Sequence, residues 1–486
     1  MAGNDTSNSY RSILKGTSIF GGVQIFNILI NLVRGKFVAL ILGPEGMGVS
    51  SLFNSSLNTI QRLSALGLNF AIVKEVAQDS DEPGKLGNTL AIAKRLITIS
   101  AIVGALICMA FCVPLSRLTF GNTEWAPQFV MLGLAVGFGV ASTGTLSILQ
   151  GLHEIKSISK ASIVGGLTGL LIGVPLYYFF GDKGIVPAFV AISLSLFIFY
   201  IISLHKCKGL PQLNRFSWRE HLPAAKKLLL LGIVLMTNEL MVNLVTYLLN
   251  LYIRVQGSID DIGLYQAANS ITNQYSGLVF TAMAMDYFPR LSKSAGNNVE
   301  MAGIVNRQTE IVAFIIAPAM TLLILSAPLL IRLLLTDNFM PVLPLMRWMG
   351  LGILLRALAF PMGYISFAKG NKKLFFWLEG IGCNVLTLFL SCLFFGKFGL
   401  MGLGYALVAD NALCIVIYYI VNRKLYGYGF SRGSFSAATV AIILGISCCA
   451  VSLIAHPVFS YTAMSAVVAA SIFWGILNLK RKLSSD

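Results

Sequence analysis

Apolar runs of roughly 20 residues, each about the length at which a helix crosses a ~30 Å hydrocarbon core, recur along the whole of this 486-residue chain. That recurrence identifies the solvent as lipid. Hydrophobic residues make up 56% of the chain and charged residues 12%, with a mean hydropathy of +0.78, more apolar surface than a water-soluble domain can cover. In lipid every backbone N–H and C=O must be paired within the protein, which leaves helices or a closed barrel. The period-two alternation of barrel strands is absent. The expected fold is an all-α polytopic membrane protein of about fourteen transmembrane helices. They are placed at 13–42, 47–73, 96–115, 128–150, 161–180, 185–204, 228–253, 262–288, 311–332, 342–367, 374–395, 400–421, 435–455 and 460–479. Arg11 and Lys15 precede the first run with no small-residue cleavage site, so it is expected to stay as a helix.

A formal charge of +16 could point to nucleic acid, but the basic residues alternate from loop to loop. Lys74, Lys85, Lys94 and Arg95 share one side with Lys206, Lys208, Arg215, Arg219, Lys226 and Lys227. Lys369, Lys372, Lys373, Arg423, Lys424, Arg432 and the tail Lys480, Arg481 and Lys482 join them. The opposite loops hold few. The positive-inside rule then puts both termini in the cytoplasm. It also retains the polar second and eighth spans, because deleting either would invert every later loop. No nucleic-acid partner is expected; the basic loops suit anionic headgroups. The eight cysteines lie in apolar spans or an inside loop and read as small hydrophobes, and the four histidines show no metal-ligand spacing, so no metal site is expected.

The chain also matches itself at one offset of 215 residues. Gly48-Val49 pairs with Gly263-Leu264, Asn54-Ser55 with Asn269-Ser270, Asn58 with Asn273, Phe180-Gly181 with Phe395-Gly396, and Gly184 with Gly399. A duplicated block of six spans is implied. Six is even, so the two copies enter the membrane in the same direction as parallel repeats. The expected organisation is an N-lobe at 1–205, a basic cytoplasmic linker at 206–227, a C-lobe at 228–427, and two extra helices with a tail at 428–486.

Four helices carry polar stripes. Gln24, Asn27, Asn31 and Arg34 fall on one face of the first span, and Ser51, Ser55, Asn58, Arg62 and Asn69 line the second. Glu239, Asn243, Thr246, Asn250 and Arg254 line the seventh; Gln266, Asn269, Ser270, Asn273 and Thr281 line the eighth. Any single Asn or Ser of this kind is more simply read as hydrogen-bonding a neighbouring helix. Arginine is different, because at a helix centre in lipid it costs about 2.5–3.5 kcal/mol, so it must face protein or water. The joint pattern predicts a hydrated cleft between the lobes. Arg34, Arg62 and Arg254, with Arg356 in the tenth span, are the candidate anion-binding residues, since a guanidinium donates two parallel hydrogen bonds to phosphate oxygens. Glu239 and Asp410 are the deep acids and the candidates for a coupling ion, H+ or Na+; no other cofactor is expected. Glu239 could equally serve only to neutralise a cleft arginine, and Asp286 and Glu379 are read as lying near the inner surface.

The segment RGKFVALILGPEGMG at 34–48, with LNTIQRLSALG at 57–67 and the stretch at 71–77, resembles the Wzx-type O-antigen flippases, the polysaccharide transporter branch of the multidrug/oligosaccharidyl-lipid/polysaccharide (MOP) exporter superfamily. The resemblance implies a V of two lobes around a central cavity lined by helices one, two, seven and eight. It further implies a polyprenyl-pyrophosphate-linked oligosaccharide as substrate, moved from the cytoplasmic to the periplasmic leaflet of the inner membrane. Arg34, Arg62 and Arg254 would hold the pyrophosphate, and other surface-polysaccharide assembly proteins would be partners. Two other readings compete. An ion-coupled multidrug exporter of the same superfamily would favour an acid-rich cavity, and a membrane glycan polymerase or ligase would present a long external catalytic loop. Neither feature stands out in the sequence, and no Ser/His/Asp or paired-carboxylate arrangement is evident, so the chain is read as a transporter, not an enzyme.

Overall fold

A computed structural model describes residues 2–80, 82–207, 218–454 and 456–483; the side chains of residues 2–25 and most of the 206–227 linker lie outside that description. Every regular element among the described residues is helical. By contact the chain divides into residues 1–251 and 252–486.

The first unit begins with α1 (Ala2–Ala65), α2 (Leu68–Asp79), α3 (Pro83–Ala110), α4 (Cys112–Phe120) and α5 (Ala126–Gly151). It continues with α6 (Ile155–Phe180), α7 (Ile185–Lys206) and most of α8 (Trp218–Gln256). The second unit contains α9 (Ile259–Lys293), α10 (Asn298–Leu334), α11 (Leu343–Ala368), α12 (Lys372–Phe375) and α13 (Cys383–Phe398). It ends with α14 (Leu400–Tyr426), α15 (Arg432–Val451) and α16 (Pro457–Leu483). Local sequence sets many of these boundaries. Pro83 opens α3, Ser258 and Asp261 close a capping box on α9, and the Asn297 side chain accepts from two backbone N–H groups at the start of α10.

Ten segments of the described chain are long and apolar enough to cross a membrane. Two of them, Phe26–Ala65 and Ile155–Lys206, contain 40 and 52 residues. At about 1.5 Å per residue these would extend ~60 and ~80 Å, at least twice a ~30 Å core, so each must be interrupted. Each is. Gly43 (φ 69, ψ −165) breaks α1 before Pro44, and a 3-10 turn at Gly181–Gly184 separates α6 from α7, both where the sequence reading ends one span and starts another. The predicted seventh and eighth spans fall on α8 and α9, helices of 39 and 35 residues that are not among the ten.

The backbone refines the repeat. Gly43 and Ser258 (φ −137, ψ 169) both precede a helix, which agrees with the offset of 215. Further along, Gly181 (φ 57, ψ −135) has its geometric equal in Gly399 (φ 59, ψ −144). Gly184 and Gly402 are a second such pair: a Cβ on either would fall 2.1 Å from a carbonyl oxygen, that of Leu176 or that of Phe394. Both pairs are 218 apart. The copies are therefore not ungapped, as the sequence matches implied; three residues have been gained between the two ends of the block.

In the second unit α15 and α16 are fastened to α10 and α11 at three levels. Lys482 pairs with Glu310 at 2.7 Å, the Thr321 and Ser471 hydroxyls meet at 2.9 Å, and Arg347 donates to the Ser452 carbonyl at 2.9 Å. The last two helices thus form part of the packed second unit.

In the first unit α8 runs against the second half of α1. Gly67 (φ 66) lies in the break between α1 and α2, and a Cβ there would fall 2.0 Å from the Gly232 carbonyl oxygen; a Cβ on Gly232 would fall 2.5 Å from that of Leu66. The two backbones touch with no room for a methyl group. Gly232→Ala is therefore expected to destabilise the protein by about 1–3 kcal/mol, the range for overpacking. Thermal unfolding in detergent measures this, with Gly35→Ala, whose Cβ would meet nothing within 4 Å, as the neutral control.

Candidate functional site

Three contacts locate the centre of the α1–α8 seam. Ser51 accepts a hydrogen bond from the Asn250 amide at 3.3 Å, Arg62 forms an ion pair with Glu239, and Gly67 abuts Gly232. The 11 residues from Ser51 to Arg62 are matched by the 11 from Asn250 back to Glu239, so the two helices run antiparallel and in register over about three turns there. The Thr119 hydroxyl, in α4, meets the Tyr247 hydroxyl at 2.9 Å and fixes α8 from another side. The Arg62 and Glu239 side chains keep 38% and 39% of their surface exposed. Charged surface of that extent is not stable against hydrocarbon, so water must reach the seam.

The other stripe residues divide into two kinds. Asn27 donates to Ser162 of α6 at 3.1 Å and Asn250 is 1% exposed against Ser51, so both bind helix to helix. Asn243 donates to the Glu239 carbonyl one turn back, and Asn273 donates to Asn269 Oδ1 at 2.6 Å. Asn31 is exposed and Asn58 half-buried; the Gln24 side chain lies outside the described residues. Arg34 is half-buried and acts electrostatically on the Tyr177 hydroxyl, which is buried with no hydrogen-bond partner among the described residues. Arg254 is half-buried, and its buried Nε also lacks a partner there. A guanidinium with an unused donor is a site still able to accept an anion.

Arg356 is exposed over the Phe280 ring, 5.7 Å from its centroid, and belongs to the second unit. There it acts on both Asp410 and Glu379. Asp410, 6% exposed, accepts a hydrogen bond from Thr387 at 2.9 Å, and Glu379 bonds the Tyr418 hydroxyl. Cys383 Sγ lies 3.2 Å from that hydroxyl and 3.7 Å from Cys414 Sγ. Glu379, Cys383 and Thr387 rise at intervals of four along the π-helical turn Phe376–Gly382 and α13, facing Asp410, Cys414 and Tyr418 at the same interval on α14. The sequence reading placed Glu379 near the inner surface and did not join it to Asp410. The four-residue spacing of both triplets was the signal available.

A family model described as "Polysaccharide biosynthesis protein" matches residues 37–344. The Lipid III flippase of Escherichia coli (strain K12) is 23% identical over 426 residues, covering 85% of this chain and all of that protein. Among solved structures, an inward-facing multidrug resistance MATE family transporter of the MOP superfamily superposes with a TM-score of 0.71 at 16% identity, covering 84% of this chain and 98% of the other. The Lipid II flippase MurJ in an inward closed conformation gives 0.70 at 14% identity, covering 97% and 99%. These likenesses fix the fold as that of the MOP transporters.

The seam carries a quantitative expectation. A double-mutant cycle on Arg62→Gln and Glu239→Gln, read by unfolding in detergent, is expected to give a coupling of about 1 kcal/mol or less, as for exposed ion pairs. A coupling above about 3 kcal/mol would mean a sealed pair and no water at the seam.

Proposed function

This chain belongs to the polysaccharide biosynthesis protein family, and from that premise we propose that it is a flippase for a polyprenyl-pyrophosphate-linked oligosaccharide. The cargo is the O-antigen or another surface-polysaccharide repeat unit, moved from the cytoplasmic to the periplasmic leaflet of a bacterial inner membrane by alternating access. The likeness to a protein named Lipid III flippase supports the substrate class, and the distribution of lysine and arginine supports cytoplasmic termini. Other surface-polysaccharide assembly proteins are the partners this role implies.

The observation that carries the reading is the half-exposed Arg62–Glu239 pair. A glycan headgroup left in hydrocarbon would strand its hydroxyls at several kcal/mol each, so it needs a wet route with fixed cations for its pyrophosphate. Arg62 meets that need, and Glu239 keeps the site neutral until the anion arrives. Binding is then an exchange: pyrophosphate takes the guanidinium from Glu239 and loosens the α1–α8 seam. Arg254 supplies a further unsatisfied donor, and Arg34 a further cation beside the Tyr177 hydroxyl. In the second unit the Asp410–Glu379–Arg356 cluster is the proposed coupling site, and we assign it to a proton. Asp410 is ringed by a hydroxyl and a thiol, whereas a hard cation such as Na+ prefers a cage of several oxygens.

Arg62→Ala is expected to abolish surface-glycan export at unchanged membrane abundance, and normal export by that variant would remove Arg62 from the route. The multidrug alternative predicts instead that the variant loses resistance to cationic dyes. Glu239→Gln, which removes the internal competitor, is expected to tighten binding of a polyprenyl pyrophosphate to the purified protein by about 2–5-fold, the ~0.5–1 kcal/mol of an exposed pair. Asp410→Asn, fixed in the neutral form, is expected to lower export at least about tenfold, the size of one lost acid–base group. Its residual export should no longer respond to collapse of the proton gradient.

A further inference from the structure

A cavity of about 440 Å³ lies within the first unit between α3, α5 and α7, lined by none of the seam residues. Along one side Ala101 and Ala105 on α3 pack closely against Gly137 on α5, with Ala141 a turn further on, while Phe138 and Phe197, with ring centroids 6.1 Å apart, form a wall. Ile102 and Leu134 along its flank are 54% and 42% exposed, which leaves it open to the surrounding lipid. Its volume falls within the ~300–1,000 Å³ of small-molecule sites.

The polarity is confined to one end. Lys94, Thr98, Thr145 and His205 are gathered there. The two threonine hydroxyls donate to carbonyls of their own helices, Lys94 and Ala141, each at 2.8 Å. The imidazole of His205 is held with Nδ1 2.8 Å from the Ile201 carbonyl, which can only accept, so Nδ1 carries the proton and Nε2 points free. The Lys94 ammonium makes no ion pair or hydrogen bond among the described residues. From Lys94 to Ala105 along α3 is ~16 Å at about 1.5 Å per residue, half of a ~30 Å core. The shape is thus that of one leaflet: a cationic mouth above an apolar slot one acyl chain deep.

We propose that this cavity is a binding site for an anionic membrane phospholipid, one acyl chain in the slot and the phosphate on Lys94, with His205 Nε2 left to accept from a headgroup hydroxyl. Charge decides the occupant. A zwitterionic headgroup brings its own cation to a mouth whose lining already holds Lys94 and includes no acid, whereas a net-negative headgroup meets a complementary charge there. That the leaflet is the cytoplasmic one rests on the proposed topology; the site itself does not.

The test is native mass spectrometry of the full-length protein released from detergent with phosphatidylglycerol or phosphatidylcholine of identical chains. One phosphatidylglycerol is expected to be retained at least about tenfold more tightly, the discrimination of a charge-assisted phosphate contact. Lys94→Gln with His205→Gln is expected to erase that preference, and Ala141→Leu, which fills the slot, to lower retention of both lipids. Equal retention of the two lipids by the unaltered protein, or a preference that survives the Lys94/His205 substitution, overturns the proposal. Displacement of phosphatidylglycerol by a polyprenyl phosphate likewise overturns it and makes the slot a substrate-tail site. The double substitution lies at the cavity mouth, so it reads headgroup preference even if Ala141→Leu fails to fold. Arg62→Ala, outside the cavity lining, is expected to keep the preference whether or not it exports glycan, which separates this proposal from the flippase reading.

Discussion

A guanidinium within a membrane span has two stable companions, a counter-charge and water, and Arg62 is placed to have both. Glu239 supplies the first; the exposed portion of each side chain requires the second. The local architecture follows from bringing these partners together across 177 residues of chain. For α8 to present Glu239 at the right level, it must run antiparallel to α1 and in register. The glycine contact at 67 and 232 holds one end of that alignment, and the Ser51–Asn250 hydrogen bond holds the other. The seam is tight at both ends and polar between them, and there a binding site can open without unfolding the helices around it.

Duplication built this scaffold and divergence placed the charge. At the repeat offset of 215, Glu239 corresponds to Gln24, and Arg62 corresponds to Gly277. The carboxylates of the second unit diverge in the same way. At 215 or at 218, Glu379 falls on Val164 or Ala161, and Asp410 on Ser195 or Ile192, none of them an acid. The two copies have kept a common helical frame and specialised, one toward a cation–anion seam and the other toward a buried acidic ladder braced by Arg356.

Much of the frame was legible because its causes are local. Apolar run length fixes where helices lie, and a glycine before a proline, at 43 and 44, marks a break that hydropathy alone blurs. The stripes were legible for the same reason, since 3.6-residue periodicity is a property of one helix. What a stripe does not encode is its partner. Asn27 and Arg62 belong to similar stripes, yet Asn27 is consumed by Ser162 and Arg62 stays half-open. That difference depends on which helix lies opposite and at what register, a matter of tertiary packing. Glu379 shows the same limit: its place in the run does not name its partner, whereas the complementary four-residue spacings along the Phe376–Gly382 turn, α13 and α14 determine what it meets. The offset of 215 misled in its own way, because Phe395-Gly396 and Gly399 repeat Phe180-Gly181 and Gly184 in letters while standing three residues out of the structural register.

The resident ion pair also bears on how a carrier of this kind could reset. A pyrophosphate moving outward gains about 2.3 kcal/mol per charge per 100 mV from an inside-negative potential, so the loaded step runs downhill electrically. An uncompensated Arg62 would itself be drawn inward on the empty return, because an inside-negative potential favours a cation moving inward as it favours an anion moving outward. With Glu239 back on Arg62 the returning seam carries no net charge, and the potential acts on one half of the cycle alone. On the proposed flippase reading, Glu239 would serve as a placeholder for the substrate, its carboxylate occupying the guanidinium whenever the headgroup does not.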